Sequence, residues 1–175
     1  YEVLYFLDER DEFVSGIMQS YDEKKFISIS QANLDLDSEE EKKEIEEKTA
    51  ENKDMLTAMK DALADKVKEV RISSRLIDDP VCIVADEGVS LDMERYMAND
   101  PMNKDRAITA TKILEINPNH PIFNKLREVS TSSPDKLKEY TDVLYDQALL
   151  IEGLPIKNPV EFAKKITNLI VDAKN

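Results

Sequence analysis

Leu114-Glu115-Ile116-Asn117-Pro118-Asn119-His120-Pro121 holds the only histidine and two of the seven prolines of this 175-residue chain. An apolar, strand-like run (Thr109–Ile116) leads into it and an amphipathic run leaves it. A proline pushes the residue before it out of the helical region, so Asn117 is extended and the strand stops there. Asn119 is expected to cap a new helix, with Pro121 in its first turn, where a backbone donor is not missed. The stretch reads as a corner that ends the last strand and begins the helical part of the chain.

Downstream of the corner, Ser133–Pro134 starts a helix that Gly153 ends, and Asn158–Pro159 starts the last one, with Glu161 placed to complete its cap. The first carries Leu137, Tyr140, Leu144 and Ile151 on one stripe, widened by Val143, Leu149 and Leu150. The second carries Phe162, Ala163, Ile166, Leu169, Ile170 and Ala173. Joined by a short connection, the two make an αα-hairpin. Each stripe either packs on its own domain or meets a second copy in a symmetric four-helix bundle; the breadth of both stripes favours the bundle.

Upstream, residues 67–76 and 81–85 read as two strands joined by the Asp78-Asp79-Pro80 turn. With Thr109–Ile116 they predict a three-stranded sheet. Between them, Leu91–Ala98 reads as a short helix with Met93, Tyr96 and Met97 on one face. Three of the six methionines fall within Leu91–Met102. Methionine suits surfaces that accept varied apolar partners, but it also fills cores, so this helix is either core-facing or loosely tethered and partly exposed.

From Glu39 to Asp54 the chain carries eight acidic and four basic residues, with Ile45 nearly alone as an apolar side chain. Ser38 and Glu41 form a capping-box pattern, and Glu39–Lys43 and Glu44–Lys48 are i, i+4 pairs in the favourable order. This predicts one long helix whose charged first half projects into solvent. Its second half docks through Met55, Leu56, Met59, Ala62 and Leu63. Before it, Val3–Leu7, an amphipathic stretch around Phe13–Tyr21 and Phe26–Ser30 read as a βαβ unit. The chain begins at Tyr1, inside an apolar run and with no methionine before Met18, and so reads as a piece of a longer protein. The fold class is α+β.

A net charge of −13 argues against a nucleic-acid-binding face and against adsorption to anionic membranes. No apolar run approaches the roughly 20 residues of a membrane span. Cys82 is alone, which excludes an internal disulfide and fits a reducing compartment. Catalytic candidates are poor. Cys82 and His120 are the one conceivable thiol–imidazole pair, yet Cys82 lies in an apolar strand, where a thiol is ordinarily inert, and His120 at a helix start suits a local hydrogen bond. A zinc site needs more histidine or cysteine, and the three glycines are too scattered to cradle a phosphate.

Taken together, Arg71-Ile-Ser-Ser-Arg-Leu76, Met93-Glu-Arg-Tyr-Met97 and Leu114–Pro121 closely resemble the C-terminal region of the heat-shock protein 90 chaperones. The opening, Tyr1-Glu-Val-Leu-Tyr5, resembles the end of that family's middle domain, so the likeness covers essentially the whole chain. The chain ends without the acidic Glu-Glu-Val-Asp tail by which cytosolic eukaryotic members recruit co-chaperones, as expected of the bacterial branch. The resemblance implies a cytoplasmic, ATP-driven homodimeric chaperone of the stress response. Residues 1–36 would be the end of the middle domain and 37–175 the C-terminal dimerisation domain. ATP and magnesium would belong to an N-terminal domain absent from this sequence, so no residue here is assigned a catalytic, cofactor or metal role. The resemblance further implies dimerisation through Leu144, Leu150, Phe162, Ile166, Leu169 and Ile170. It implies contact with unfolded client proteins through Met93, Tyr96, Met97 and Met102. The alternative is a purely structural dimerisation module without client contact.

Overall fold

Alternation along Lys112-Ile-Leu-Glu-Ile116 sends Leu114 and Ile116 to one side of a strand and Ile113 and Glu115 to the other, and all five residues are buried. Such a strand must be central. In the computed structural model, which describes residues 2–32, 37–99 and 108–172, it is. In chain order the described elements are α1 (Glu9–Met18), β1 (Ser20–Tyr21), β2 (Lys24–Lys25), α2 (Glu39–Glu51), α3 (Lys53–Leu63), a 3-10 turn (Ala64–Lys66), β3 (Glu69–Ile72), β4 (Val81–Ala85), α4 (Leu91–Asn99), β5 (Lys112–Ile116), α5 (Pro121–Ser132), α6 (Pro134–Ile151) and α7 (Pro159–Asp172). The class is α+β, as the sequence indicates.

The sheet order is β3-β5-β4, with β5 parallel to β3 and antiparallel to β4. The turn at Asp78-Asp79-Pro80 therefore does not close a hairpin: β3 and β4 are neighbours in sequence, but β5 lies between them. Val70, Ile72, Val81, Ile83, Ala85, Leu114 and Ile116 make one face and join the main core with Met59, Leu63, Phe123, Leu126, Leu144 and Ala148 from the helices. The other face is smaller, with Val84, Ile113 and Ala32 packed against Cys82. Full burial of Leu114 and Ile116 alone is worth about 1.5–3 kcal/mol each.

Glu115 lies on that second face, 2% exposed. A carboxylate so placed requires partners. Arg71, directly opposite it in the β3 register, donates from Nη2 at 2.6 Å; Arg75 Nε lies at 3.1 Å, and Ser73 Oγ donates at 2.9 Å. The same guanidinium groups reach the backbone of the N-terminal segment. Arg71 donates to Ala32 O (2.6 Å) and Arg75 to Ile29 O (2.8 Å). That segment adds one rung to the edge of β4, where Gln31 bridges Ala85 in parallel and Ala32 N donates to Ala85 O at 2.8 Å.

The corner at Asn117 is a small hydrogen-bonded unit. Asn117 is fully buried; its Nδ2 donates to Ile77 O and Asp79 O (both 3.0 Å), and its Oδ1 accepts from Asn119 N at 2.9 Å. Asn119 is thereby used inside the turn, and the helix cap falls one residue later. His120 Nδ1 accepts from Ile122 N at 3.1 Å, with Pro121 at the first helical position. The cap assignment shifts from Asn119 to His120, while Asn119 Oδ1 accepts from Lys48 Nζ at 3.5 Å.

Two further expectations are corrected. The long helix is two. Ser38 and Glu41 form the capping box of α2, but Asn52 (φ −112°, ψ 16°) interrupts the run, with its side-chain amide donating to Lys48 O at 2.7 Å. α2 buries none of its residues, whereas α3 buries Met55, Leu56, Met59 and Leu63. The split between a projecting and a docking half holds only in part, since Ile45 of α2 is partly buried against the main core. The βαβ opening is not formed. Val3–Leu7 is extended and exposed and pairs with none of the described residues, and Phe26–Ser30 is irregular. Between them lie α1 and the two-residue ladder β1–β2. An apolar run becomes a buried strand only when other strands flank it.

Glu115→Ala would leave two arginines over an apolar sheet face without their anion, a loss expected to cost about 3 kcal/mol, the lower end of the range for half of a buried pair. Urea denaturation measures this directly. Lys125→Ala, which removes an exposed Lys125–Glu128 pair, should leave the midpoint unchanged.

Candidate interaction surfaces

The Cys82–His120 pairing finds no support in the partners these residues have. Cys82 sits in β4, and its Sγ donates to Glu115 Oε2 at 3.7 Å. Burial, then the neighbouring Glu115 carboxylate, pushes the thiol up to about 12. A thiol held protonated at neutral pH is a poor nucleophile. His120 uses its Nδ1 as the α5 cap.

Apolar surface is more telling. α7 begins with the expected cap, Asn158 Oδ1 accepting from Glu161 N at 3.1 Å. It then runs 14 residues without burying one. Phe162, Ile166 and Leu169 are half-buried, while Ile170 is 59% exposed. Val160, near the start of the helix, and Val171 are exposed as well, and Val160, Ala163, Thr167 and Ile170 share a helical face. Pro159, Val160, Ala163, Lys164, Thr167 and Asn168 line a shallow groove along it. At the end of α6, Leu150 and Ile151 are exposed as well, whereas Leu144 lies inside the protomer's own core. Of the six residues expected at a dimer interface, then, Leu150 and Ile170 are exposed, Phe162, Ile166 and Leu169 are partly so, and Leu144 is buried.

α4 carries the methionine face. Leu91 anchors it in the core, Met93 and Met97 are half-buried, and Tyr96 is exposed. Met102 lies outside the described residues. The helix is held firmly rather than loosely. Glu94 accepts from Lys112 Nζ at 2.7 Å and from Ala110 N at 2.8 Å, and Arg95 donates to Glu152 O at 3.0 Å.

One functional group escaped the sequence reading. Asp142, on α6, accepts from Lys165 of α7 at 2.8 Å and from Lys66 of the 3-10 turn at 3.0 Å, and Lys66 also lies 5.4 Å over the Tyr145 ring. The sequence offers little signal for it, because Lys138, Glu139 and Asp146 share the helical face of Asp142 and make it look like one more surface charge. Burial pushes the Asp142 carboxyl up, but hydrogen bonds from Lys165 and Lys66 outweigh it and hold the group below its ordinary value. Nearby Asp146 and Glu152 are raised, chiefly by burial. A lowered folded value means that the Asp142 contribution is complete above the ordinary carboxylate range and is lost as pH falls through the folded value. Raised values act oppositely, so Asp146 and Glu152 favour the folded state on mild acidification. Thermal denaturation should therefore show stability holding or rising slightly from neutral to about pH 5 and falling toward about pH 3. In Asp142→Asn the acid-side fall should be clearly smaller.

Comparison with known proteins places the chain in a family. Residues 1–174 match the model of the family described as Hsp90 protein. The chain is 46% identical over 171 residues to the chaperone protein HtpG of Bacillus subtilis (strain 168), covering 98% of this chain and 27% of that protein. It is 47% identical over 171 residues to the HtpG of Oceanobacillus iheyensis, again 98% and 27%. With the HtpG of Clostridium acetobutylicum it shares 47% identity over 170 residues, 97% and 27%. The chain thus spans about a quarter of the length of the curated relatives it matches. It belongs to the Hsp90 protein family, on its bacterial HtpG branch.

Proposed function

We propose that this segment joins two copies of a chaperone through α6 and α7 and presents α4 to unfolded clients. The observation that carries the reading is α7: a helix of 14 residues that buries none of them in its own protomer, yet holds Val160, Ile170 and Val171 exposed. Leu150 and Ile151 of α6 are exposed too, and exposed apolar side chains gathered on one hairpin suit an interaction site. A two-fold copy packing hairpin on hairpin gives a four-helix bundle and removes roughly 2,000 Å² from water if the interface is obligate. The half-exposed methionines of α4, flanking Tyr96, offer an adaptable apolar face to client segments of differing sequence.

On the same reading, residues 1–36 end a preceding domain whose strands would cover Val3–Leu7, and 37–175 form the dimerisation domain. ATP and magnesium are bound outside this segment, and the protein works in the cytoplasm. Tethering two chains at this end raises the effective concentration of their distant parts for one another.

Light scattering on this chain should give twice the protomer mass, and Ile170→Glu should give a monomer with an unchanged circular dichroism spectrum. A wild-type monomer at all concentrations rejects the dimer. Replacing Met93 and Met97 together by serine should weaken suppression of the aggregation of a heat-denatured model protein while the dimer persists. Full suppression by that variant would favour the alternative, a dimerisation module without client contact.

A further inference from the structure

The methionine helix reaches the dimerisation hairpin at the end of α6. Arg95, next to Tyr96 on α4, donates from Nη1 to the carbonyl of Glu152 at 3.0 Å, the residue that ends α6. Asp92, one turn earlier, pairs with the same guanidinium and orients it. The fit is close: a Cβ added at Gly153 would stand 3.2 Å from Arg95 Cδ, and Gly153 takes φ +68° to turn the chain toward α7. Two backbone bonds tighten that turn, Gly153 N to Leu150 O (3.1 Å) and Leu154 N to Leu149 O (2.9 Å). Leu150 and Ile151, exposed in the last turn of α6, belong to the proposed dimer surface. On its other side α4 is fixed to β5 through Glu94 and Lys112. α4 thus touches, through Arg95, the turn that leads from α6 to α7.

We propose that Arg95 is a positioning residue that couples the two surfaces, so that an unfolded polypeptide seated on α4 strengthens association of the α6–α7 hairpins. The proposal rests on the dimer and client reading above and deepens it. Coupling of this kind is reciprocal: what raises dimer affinity through α4 must raise client affinity in the dimer by the same factor.

The test measures the dimer dissociation constant of this chain by analytical ultracentrifugation, with and without saturating carboxymethylated α-lactalbumin, a permanently unfolded probe. The expected result is tightening by at least about five-fold, the lower end of common coupling strengths. In Arg95→Met, which keeps the aliphatic stem and loses the donor, the dimer and probe binding persist but the tightening disappears. Asp92→Asn, which only frees the guanidinium, should reduce it partially. Equal dissociation constants with and without the probe in the wild type, or full tightening in Arg95→Met, would overturn the coupling and leave the dimer and client reading intact. A chain that never dimerises or never binds the probe would overturn both.

Discussion

Everything on the second face of the sheet depends on the buried carboxylate of Glu115. Replacing a buried ion pair by apolar side chains is often neutral in stability, so the cluster is better understood as a register device. Glu115 meets Arg71 and Cys82 directly across the two ladders, and Arg75 and Ser73 close over it from the end of β3. A slip of one residue would put the carboxylate among the helices of the main core and the arginines out of reach. The same arginines then extend outward to Ile29, Gln31 and Ala32, so the anion that aligns the strands also holds the N-terminal segment against the sheet.

Beyond that constraint, the chain divides into elements with two different destinations. α3, α5 and α6 supply Met59, Leu126 and Ala148, each with no measurable exposure, to a core that closes within one protomer. α2 and α7 supply no buried residue at all, for opposite reasons. α2 is charged along its length and stabilised locally by its capping box and the Glu44–Lys48 pair at 2.7 Å. α7 is apolar on two sides and reaches its own protomer through half-buried residues and the Lys165–Asp142 bond. A helix of the first kind needs little cover beyond the contact of Ile45 with the core, whereas one of the second kind leaves surface to be covered.

The parts of this architecture legible in the sequence are those dictated by local chemistry. The strand stop before Pro118, Pro121 in the first turn of α5, Ser38 with Glu41, Asn158 with Glu161 and the periodicity of the last helices each act over three or four residues, and each forms as read. What was misread depends on distant partners. The apolar pattern of Val3–Leu7 states that the segment wants burial but not what will provide it, and nothing in residues 67–85 announces that a strand 30 residues further on will be inserted between two apparent hairpin partners. The cap falls on His120 rather than Asn119, whose side chain faces Lys48 of α2, a residue 71 positions earlier. Asp142 was missed because its two lysines come from segments 76 and 23 residues away. The candidate surfaces were legible as stripes, but which stripe residues remain outside the protomer, Leu150 and Ile170 rather than Leu144, required the packing.

The insertion of β5 between β3 and β4 also fixes an order of events. Neither β3 nor β4 can pair with the other, so both wait for a strand whose ladder contacts, such as Arg71 with Glu115, span 44 residues of sequence. Closing loops of that length precedes any reward from the sheet, which slows folding and leaves two strand edges open meanwhile. A chain emerging residue by residue would carry those bare edges until the Asn117 corner had been made, so this sheet is itself for a time the kind of unfolded surface that chaperones exist to cover.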